Sequence, residues 1–243
     1  MGADHVHPIN KEMPPNVNFS ARMINTLAKR LDASSYLEIG VLRGKTFLGV
    51  DIGRKHAVDV IKQFDIPEYS RDSRFFQCSS DEYFVSADDK PIYDIVFIDG
   101  LHTFEQSFRD LSNSLIYTHN RSVIILDDTI PNDVYSSLRN SKQALKYRKE
   151  ETGGSDLSWH GDVYKTVFLI HDFYATLNYK TIVGAWNPQT LIWRSANGHR
   201  TPRFNSLEKI ERLSYFDFLE HKDILRTDTE QRAIEVCVEE IGP

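Results

Sequence analysis

The run Tyr93-Asp94-Ile95-Val96-Phe97-Ile98 breaks off at Asp99-Gly100-Leu101-His102. Five of its six residues are β-branched or aromatic, so it reads as a buried strand that ends abruptly in polar chemistry. In open α/β sheets ligands sit beyond the carboxyl ends of the strands. An acid at a strand's last position, followed by a glycine turn and a histidine, is therefore where function is to be sought. The same punctuation recurs along the chain. Ser35-Tyr36-Leu37-Glu38-Ile39 runs into Gly40, His56-Ala57-Val58 into Asp59, Arg74-Phe75-Phe76-Gln77-Cys78 into Ser79-Ser80-Asp81-Glu82, and Ser122-Val123-Ile124-Ile125-Leu126 into Asp127-Asp128-Thr129.

Between these runs the apolar residues change period. Met23, Ile24, Leu27 and Leu31, with Ser20 as an available cap, have helical spacing, as do Phe104, Phe108, Leu111 and Leu115, and the stretch through Val167, Phe168 and Ile170. Tyr179 to Trp186 and Thr190 to Arg194 flank Asn187-Pro188-Gln189, a hairpin signal. Alternating strands and helices closed by an antiparallel hairpin predict an α/β fold: a Rossmann-like, seven-stranded, mostly parallel sheet with helices on both faces.

A chain of 243 residues suits one such domain. Residues 1–18, with Pro8, Pro14 and Pro15, are expected to form an N-terminal arm, and residues 19–243 the single domain. Residues 129–160 lack a clean period and carry a charged run and two glycines, which marks them as a lid over the strand ends. A net charge of -6 and a pI near 5.8 leave no basic footprint for a nucleic acid. Cys78 and Cys237 have no metal-ligand or disulfide spacing. With no apolar run long enough to span a membrane and no apolar leader segment, a cytoplasmic protein is expected. The apolar tail from Ser206 to Leu225 packs into the core or forms the surface of a homo-oligomer.

The strand ends carry the chemistry. Glu38, Gly40 and Gly44 form E-x-G-x-x-x-G, which supplies small residues where the backbone turns close to a ligand and an acid that accepts hydrogen bonds. Asp59 follows Glu38 by twenty-one residues, the distance at which a second-strand carboxylate accepts from vicinal ribose hydroxyls. Asp51 comes too soon for an intervening helix and strand. Ser80 and Asp81 can meet an adenine edge or cap the next helix. Asp162 and Lys165 mark a helix start, where an ion pair and a contact to substrate are both open, and Trp159 and His160 line an acceptor pocket or the core.

In this order and spacing the residues resemble the class I S-adenosylmethionine-dependent methyltransferases, over residues 19 to 225. The resemblance implies S-adenosyl-L-methionine as cofactor, held by Glu38, Gly40, Gly44, Asp59, Ser80, Asp81 and Asp99. The phrases from Phe97 to Gln106 and from Gly161 to Lys165 are similar to a branch of small-molecule O-methyltransferases that tailor natural products and sugars. That branch implies Mg2+ or a similar divalent cation on Asp99, Asp127 and Asp128, His102 as base, and a hydroxylated small-molecule acceptor; Asp99 and, from its place at the helix start, Lys165 are the further catalytic candidates. Leu101 departs from it, since some relatives place an acid there. The carry-over is chemically sound: carboxylates suit a hard cation, which lowers the pKa of a bound hydroxyl. The rival readings are a nicotinamide-dependent oxidoreductase, opposed by Leu42 where G-x-G-x-x-G needs glycine, a non-catalytic cofactor-binding protein, and a metal-dependent hydrolase.

Overall fold

In the computed structural model of the chain, residues 17–67, 72–86, 90–153, 157–184 and 187–242 are described. The predicted arm lies outside them except for Val17 and Asn18, as does the end of the predicted strand at Trp186. The strands are β1 (Ser35–Ile39), β2 (Arg54–Asp59), β3 (Ser73–Gln77), β4 (Tyr93–Ile98), β5 (Thr118–Leu126), β6 (Leu177–Ile182), β7 (Gln189–Arg194) and β8 (Thr227–Asp228). They form one sheet in the order β3-β2-β1-β4-β5-β7-β6-β8. The pairs from β3 through β5 are parallel, while β7 is antiparallel to both β5 and β6. The sheet has one strand more than expected. β8 is two residues long, pairs Thr227 with Thr181 and Asp228 with Ile182, and is too short to leave a periodic signal.

β4 shows how the core is divided. Ile95 and Phe97 point to one face, where they pack with residues of α1 (Phe19–Leu31), α2 (Lys45–Gly49) and α9 (Glu230–Ile241). Val96 and Ile98 point to the other, against α3 (Ser80–Ser86), α4 (Phe104–Ile116), α6 (Tyr164–Phe173), α7 (Leu207–Glu211) and α8 (Tyr215–Glu220). Each fully buried side chain of this kind stabilises the fold by roughly 1.5–3 kcal/mol. This two-sided burial is why the strands read as continuous apolar runs rather than as alternation.

Two local expectations change. Asn18 caps α1, its Oδ1 accepting from the Ala21 N–H at 2.9 Å, while Ser20 lies inside the helix and its Oγ accepts from Gln189 Nε2. Residues 129–160 contain a further helix, α5 (Ser141–Glu151), which buries only Ala144 and Arg148. Arg148 holds the segment together, donating to Asp133 Oδ2 at 3.0 Å and to the Ser158 carbonyl at 2.6 Å. A helix fixed by one buried arginine has no apolar stripe to betray it. No helix among the described residues is long and apolar enough to cross a membrane.

The strand order reverses between β1 and β4, so the crossovers on either side leave in opposite directions. A crevice opens at the carboxyl ends of these two strands.

Candidate active site

The crevice begins with a close approach. Gly40 has φ +81°, and a β-carbon on it would lie 1.9 Å from the Asp99 carbonyl oxygen. Only glycine lets β1 turn here while its neighbour, the Asp99 N–H, still donates to the Ile39 carbonyl at 2.8 Å. Beyond the turn, Leu42 takes a left-handed φ of +47°. Asp59 holds that conformation, since its Oδ2 accepts from the N–H groups of both Val41 and Leu42 at 2.9 Å, and its Oδ1 from Ile61 at 3.1 Å. Gly44, with φ +72°, starts α2, and a β-carbon there would press on the Phe64 ring.

A cleft of about 600 Å³ lies over these strand ends, with Gly40, Asp59, Ser80, Asp99, His102 and Gln106 in its wall. Leu42, Val60 and Leu101, all exposed, form an apolar rim. Asp81 is set back from the cleft, its Oδ1 accepting from Gln106 Nε2 and Arg109 Nε at 3.3 Å each. Its place is taken by Gln106, which also donates to Ser80 Oγ at 3.1 Å and Asp110 Oδ1 at 3.0 Å. Gln106 stands in the conspicuous phrase after Phe97, but nothing in the spacing singles it out. Glu38 faces a second cleft of about 330 Å³, shared with Asn18, Lys45, Thr46 and Asp99. It accepts from the Tyr36 hydroxyl at 2.6 Å. Burial pushes its carboxyl up to about 8, against that hydrogen bond. The two clefts meet at Gly40 and Asp99.

On the far side of Asp99 stands His102. Its Nε2 is 3.3 Å from Asp99 Oδ1, and its Nδ1 is 2.8 Å from Asp128 Oδ2 and 2.7 Å from the Trp159 carbonyl oxygen. The Trp159 ring stacks on the imidazole at 4.9 Å between centroids. Burial opposes charge on the ring, but the hydrogen bonds to Asp128 and Asp99 prevail and raise it to about 11, which favours the imidazolium form. Asp128 is also buried, which would raise its carboxyl, yet the His102 hydrogen bond holds it below the usual carboxylate range. Burial pushes Asp99 up to about 6, with Asp128 adding to the effect, and Asp127 is raised by burial and by both neighbouring acids.

Ligand atoms of Asp99, His102 and Asp128 lie within 4.8 Å of one another. Asp127 is not part of that group. Its Oδ1 accepts from the Asp128 N–H at 2.9 Å and from Asn187 Nδ2 at 2.8 Å. The Asn187 amide also donates to Asp128 Oδ1 at 2.6 Å. Two of the three grouped residues are carboxylates, which suit a hard divalent cation, and Asp99 opens to the cleft while Asp128 is buried beside it.

The segment Trp159-His160-Gly161-Asp162 braces His102 from behind. Gly161, with φ +59°, lies so close that a β-carbon would come within 1.7 Å of the His102 carbonyl oxygen. Asp162 Oδ1 accepts from the Phe104 N–H at 2.8 Å, at the start of α4. Lys165, expected in a catalytic role, does not reach the cleft. Its buried amine donates to Asp162 Oδ2 at 3.0 Å, the ion pair that the helix start left open, and to the Glu211 carbonyl at 2.7 Å, a partner remote in sequence and invisible to local spacing.

The strand order, the glycine turn and the acid on β2 make a Rossmann-like fold with a crevice at its switch point. Residues 19–129 match Methyltransf_24, described as a methyltransferase domain. No curated relative matches the sequence. Similar solved structures include the O-methyltransferase TomG from Streptomyces achromogenes in complex with S-adenosylmethionine, at 14% identity, 74% of this chain, 82% of that chain and TM-score 0.44. The O-methyltransferase from Bacillus cereus, in complex with S-adenosylhomocysteine, is similar at 14% identity, 75% of this chain, 84% of that chain and TM-score 0.41.

Proposed function

We propose that the protein methylates a hydroxyl oxygen of a small molecule, a sugar or natural product, with help from a divalent cation. The observation that carries this reading is the meeting of Asp99 and His102, which line the cleft, with Asp128 buried beside them. Gly40, Asp59 and Ser80 hold the nucleoside half of S-adenosylmethionine, Glu38 lines the smaller cleft that continues from it, Gly44 starts the helix whose Lys45 and Thr46 line that cleft, and Asp81 acts through Gln106. The cofactor supplies an electrophilic methyl group on a sulfonium sulfur.

Asp99 and Asp128, with Asp127 behind them, would hold Mg2+ or a similar cation, which would polarise the acceptor oxygen and take over the positive charge that His102 now provides. With a cation bound, the imidazolium would release its Nε2 proton to solvent, and the neutral His102 would then accept the hydroxyl proton at Nε2 as the oxygen bonds to the methyl carbon and the carbon–sulfur electron pair stays on sulfur. In-line positioning is the protein's other contribution. Residues 129–160, braced by Arg148, serve as the lid on the acceptor side. The protein acts in the cytoplasm, without nucleic acid, and α7 and α8 offer a surface for a second copy.

A metal-independent reading has one observation in its favour: His102 already neutralises Asp99 and Asp128. The test is transfer of a radiolabelled methyl group from S-adenosylmethionine to a panel of hydroxylated sugars and metabolites, with and without a chelator. Transfer that needs the cation supports the proposal, and undiminished transfer in chelator favours the second reading.

A further inference from the structure

His160 is buried, 1% exposed, and no catalytic or cofactor-binding step above uses it. Its Nε2 lies 3.1 Å from Asn187 Oδ1 and 3.8 Å from Asp128 Oδ1. Its Nδ1 is buried and has no hydrogen-bond partner among the described residues. An unsatisfied buried nitrogen is a feature that stability alone does not explain.

The tautomer follows from the neighbours. Asp128 Oδ1 accepts from Asn187 Nδ2, and Asp127 Oδ1 accepts from both Asn187 Nδ2 and the Asp128 N–H, so this edge of Asn187 must be its NH2. Its carbonyl oxygen therefore faces His160, and His160 Nε2 must carry the proton. A flipped amide would set its oxygen against two carboxyl groups. Asp128, held by Asn187 on Oδ1, is left with Oδ2 toward His102.

We propose that His160 is a positioning residue: its hydrogen bond to Asn187 Oδ1 keeps both Asn187 N–H bonds on Asp127 and Asp128, and so sets Asp128 against His102. It rests on the proposed metal-assisted reading only in the choice of probe. The backbone supports the placement, since the His160 and Gly161 N–H groups both donate to the Ser136 carbonyl, at 3.0 and 2.9 Å. His160 thus belongs to the same rigid segment that braces His102.

The test uses Mn2+ binding followed by electron paramagnetic resonance, with S-adenosylmethionine calorimetry and thermal melting alongside. His160→Phe removes the donor and keeps a ring, and Mn2+ affinity is expected to fall about tenfold, as for other residues that orient metal ligands. His160→Gln keeps a donor, and affinity recovers to within about threefold of wild type, a smaller loss than that expected for losing the donor. Cofactor affinity and melting temperature stay at wild-type values in both. Asn187→Leu reproduces the loss, and the double variant His160→Phe/Asn187→Leu is no weaker than Asn187→Leu alone, because the two residues act as one unit. Unchanged affinity in His160→Phe, no recovery in His160→Gln, or additive losses overturn the proposal. If the wild-type protein binds no Mn2+, the metal reading fails and crystal structures decide the inference. An Asn187 amide turned away from Asp127 and Asp128 in His160→Phe upholds it, and an unmoved amide overturns it.

Discussion

The α-carbon of Gly40 rests against the carbonyl oxygen of Asp99, so closely that a β-carbon would fall 1.9 Å from it. This contact joins the ends of β1 and β4 and is the floor on which the two clefts meet. Gly40→Ala combines a left-handed φ with a backbone collision that no rotamer can relieve. A loss of at least about 2 kcal/mol in denaturant unfolding is expected, in the range for strained and overpacked backbone sites. S-adenosylmethionine binding should vanish in calorimetry even at temperatures where the variant is folded. A variant that binds the cofactor with wild-type affinity contradicts this account of the crevice.

Asp59 has two tasks at once. Its Oδ2 holds the Val41 and Leu42 amides, and the same side chain lines the cleft. Asp59→Ala releases the turn and removes the carboxylate, so cofactor affinity is expected to fall by about tenfold or more, the effect of losing one charge-assisted hydrogen bond. NAD is expected to show no comparable binding to the wild-type protein. Titration calorimetry with both ligands checks this, and tight NAD binding without S-adenosylmethionine binding would remove the methyltransferase reading.

Asp128 faces His102 and Asn187 but does not line the larger cleft. Asp128→Ala is therefore expected to leave cofactor affinity within about threefold of wild type while lowering methyl transfer by roughly two orders of magnitude or more, as for loss of a catalytic electrostatic partner. A chelator should reproduce the loss in the wild-type protein. The decisive comparison is binding against turnover in the same variant. Equal losses in both would place Asp128 in the cofactor site instead.

The parts of this molecule that were legible in the sequence are those whose cause is local. β4 is apolar but for Asp94 because both its faces are covered, and it ends before Asp99 because the crevice begins there. The glycine turn and Asp59 sit at a spacing dictated by one helix and one strand. What escaped notice depends on partners distant in the chain. Lys165 is taken by the Glu211 carbonyl, Arg148 ties α5 to Asp133 and Ser158, and Asn187 crosses from the β6–β7 turn to the acids of β5. Asp127 and Asp128 show the limit most clearly. As a dipeptide they are indistinguishable, yet one turns to Asn187 and its neighbour's backbone and the other reaches His102, because Asp128 adopts a left-handed φ of +57°. No residue pattern announces that.

Behind the crevice, His56 makes the fold sensitive to acid. Its Nδ1 lies 2.7 Å from the Tyr93 hydroxyl and 3.1 Å from that of Tyr83, in a buried cluster. Burial, aided by Arg74 and Arg54, pushes its pKa down to about 4 from the ordinary 6.5. Between these values the unfolded chain takes up a proton that the folded chain refuses. The stability associated with neutral His56 is therefore whole above pH 6.5 and is lost as pH falls toward 4, by at most about 3 kcal/mol. Glu38, raised to about 8, works in the opposite direction, since its neutral form in the folded state costs stability as pH rises through 4.5 to 8. The test is accordingly a difference. Urea unfolding of wild type and His56→Asn, which cannot titrate, is measured from pH 7.5 to 4.5. Wild type should lose more stability on acidification than the variant, with the gap opening below pH 6.5. Parallel curves would mean that His56 carries no linked proton and that acid sensitivity arises elsewhere.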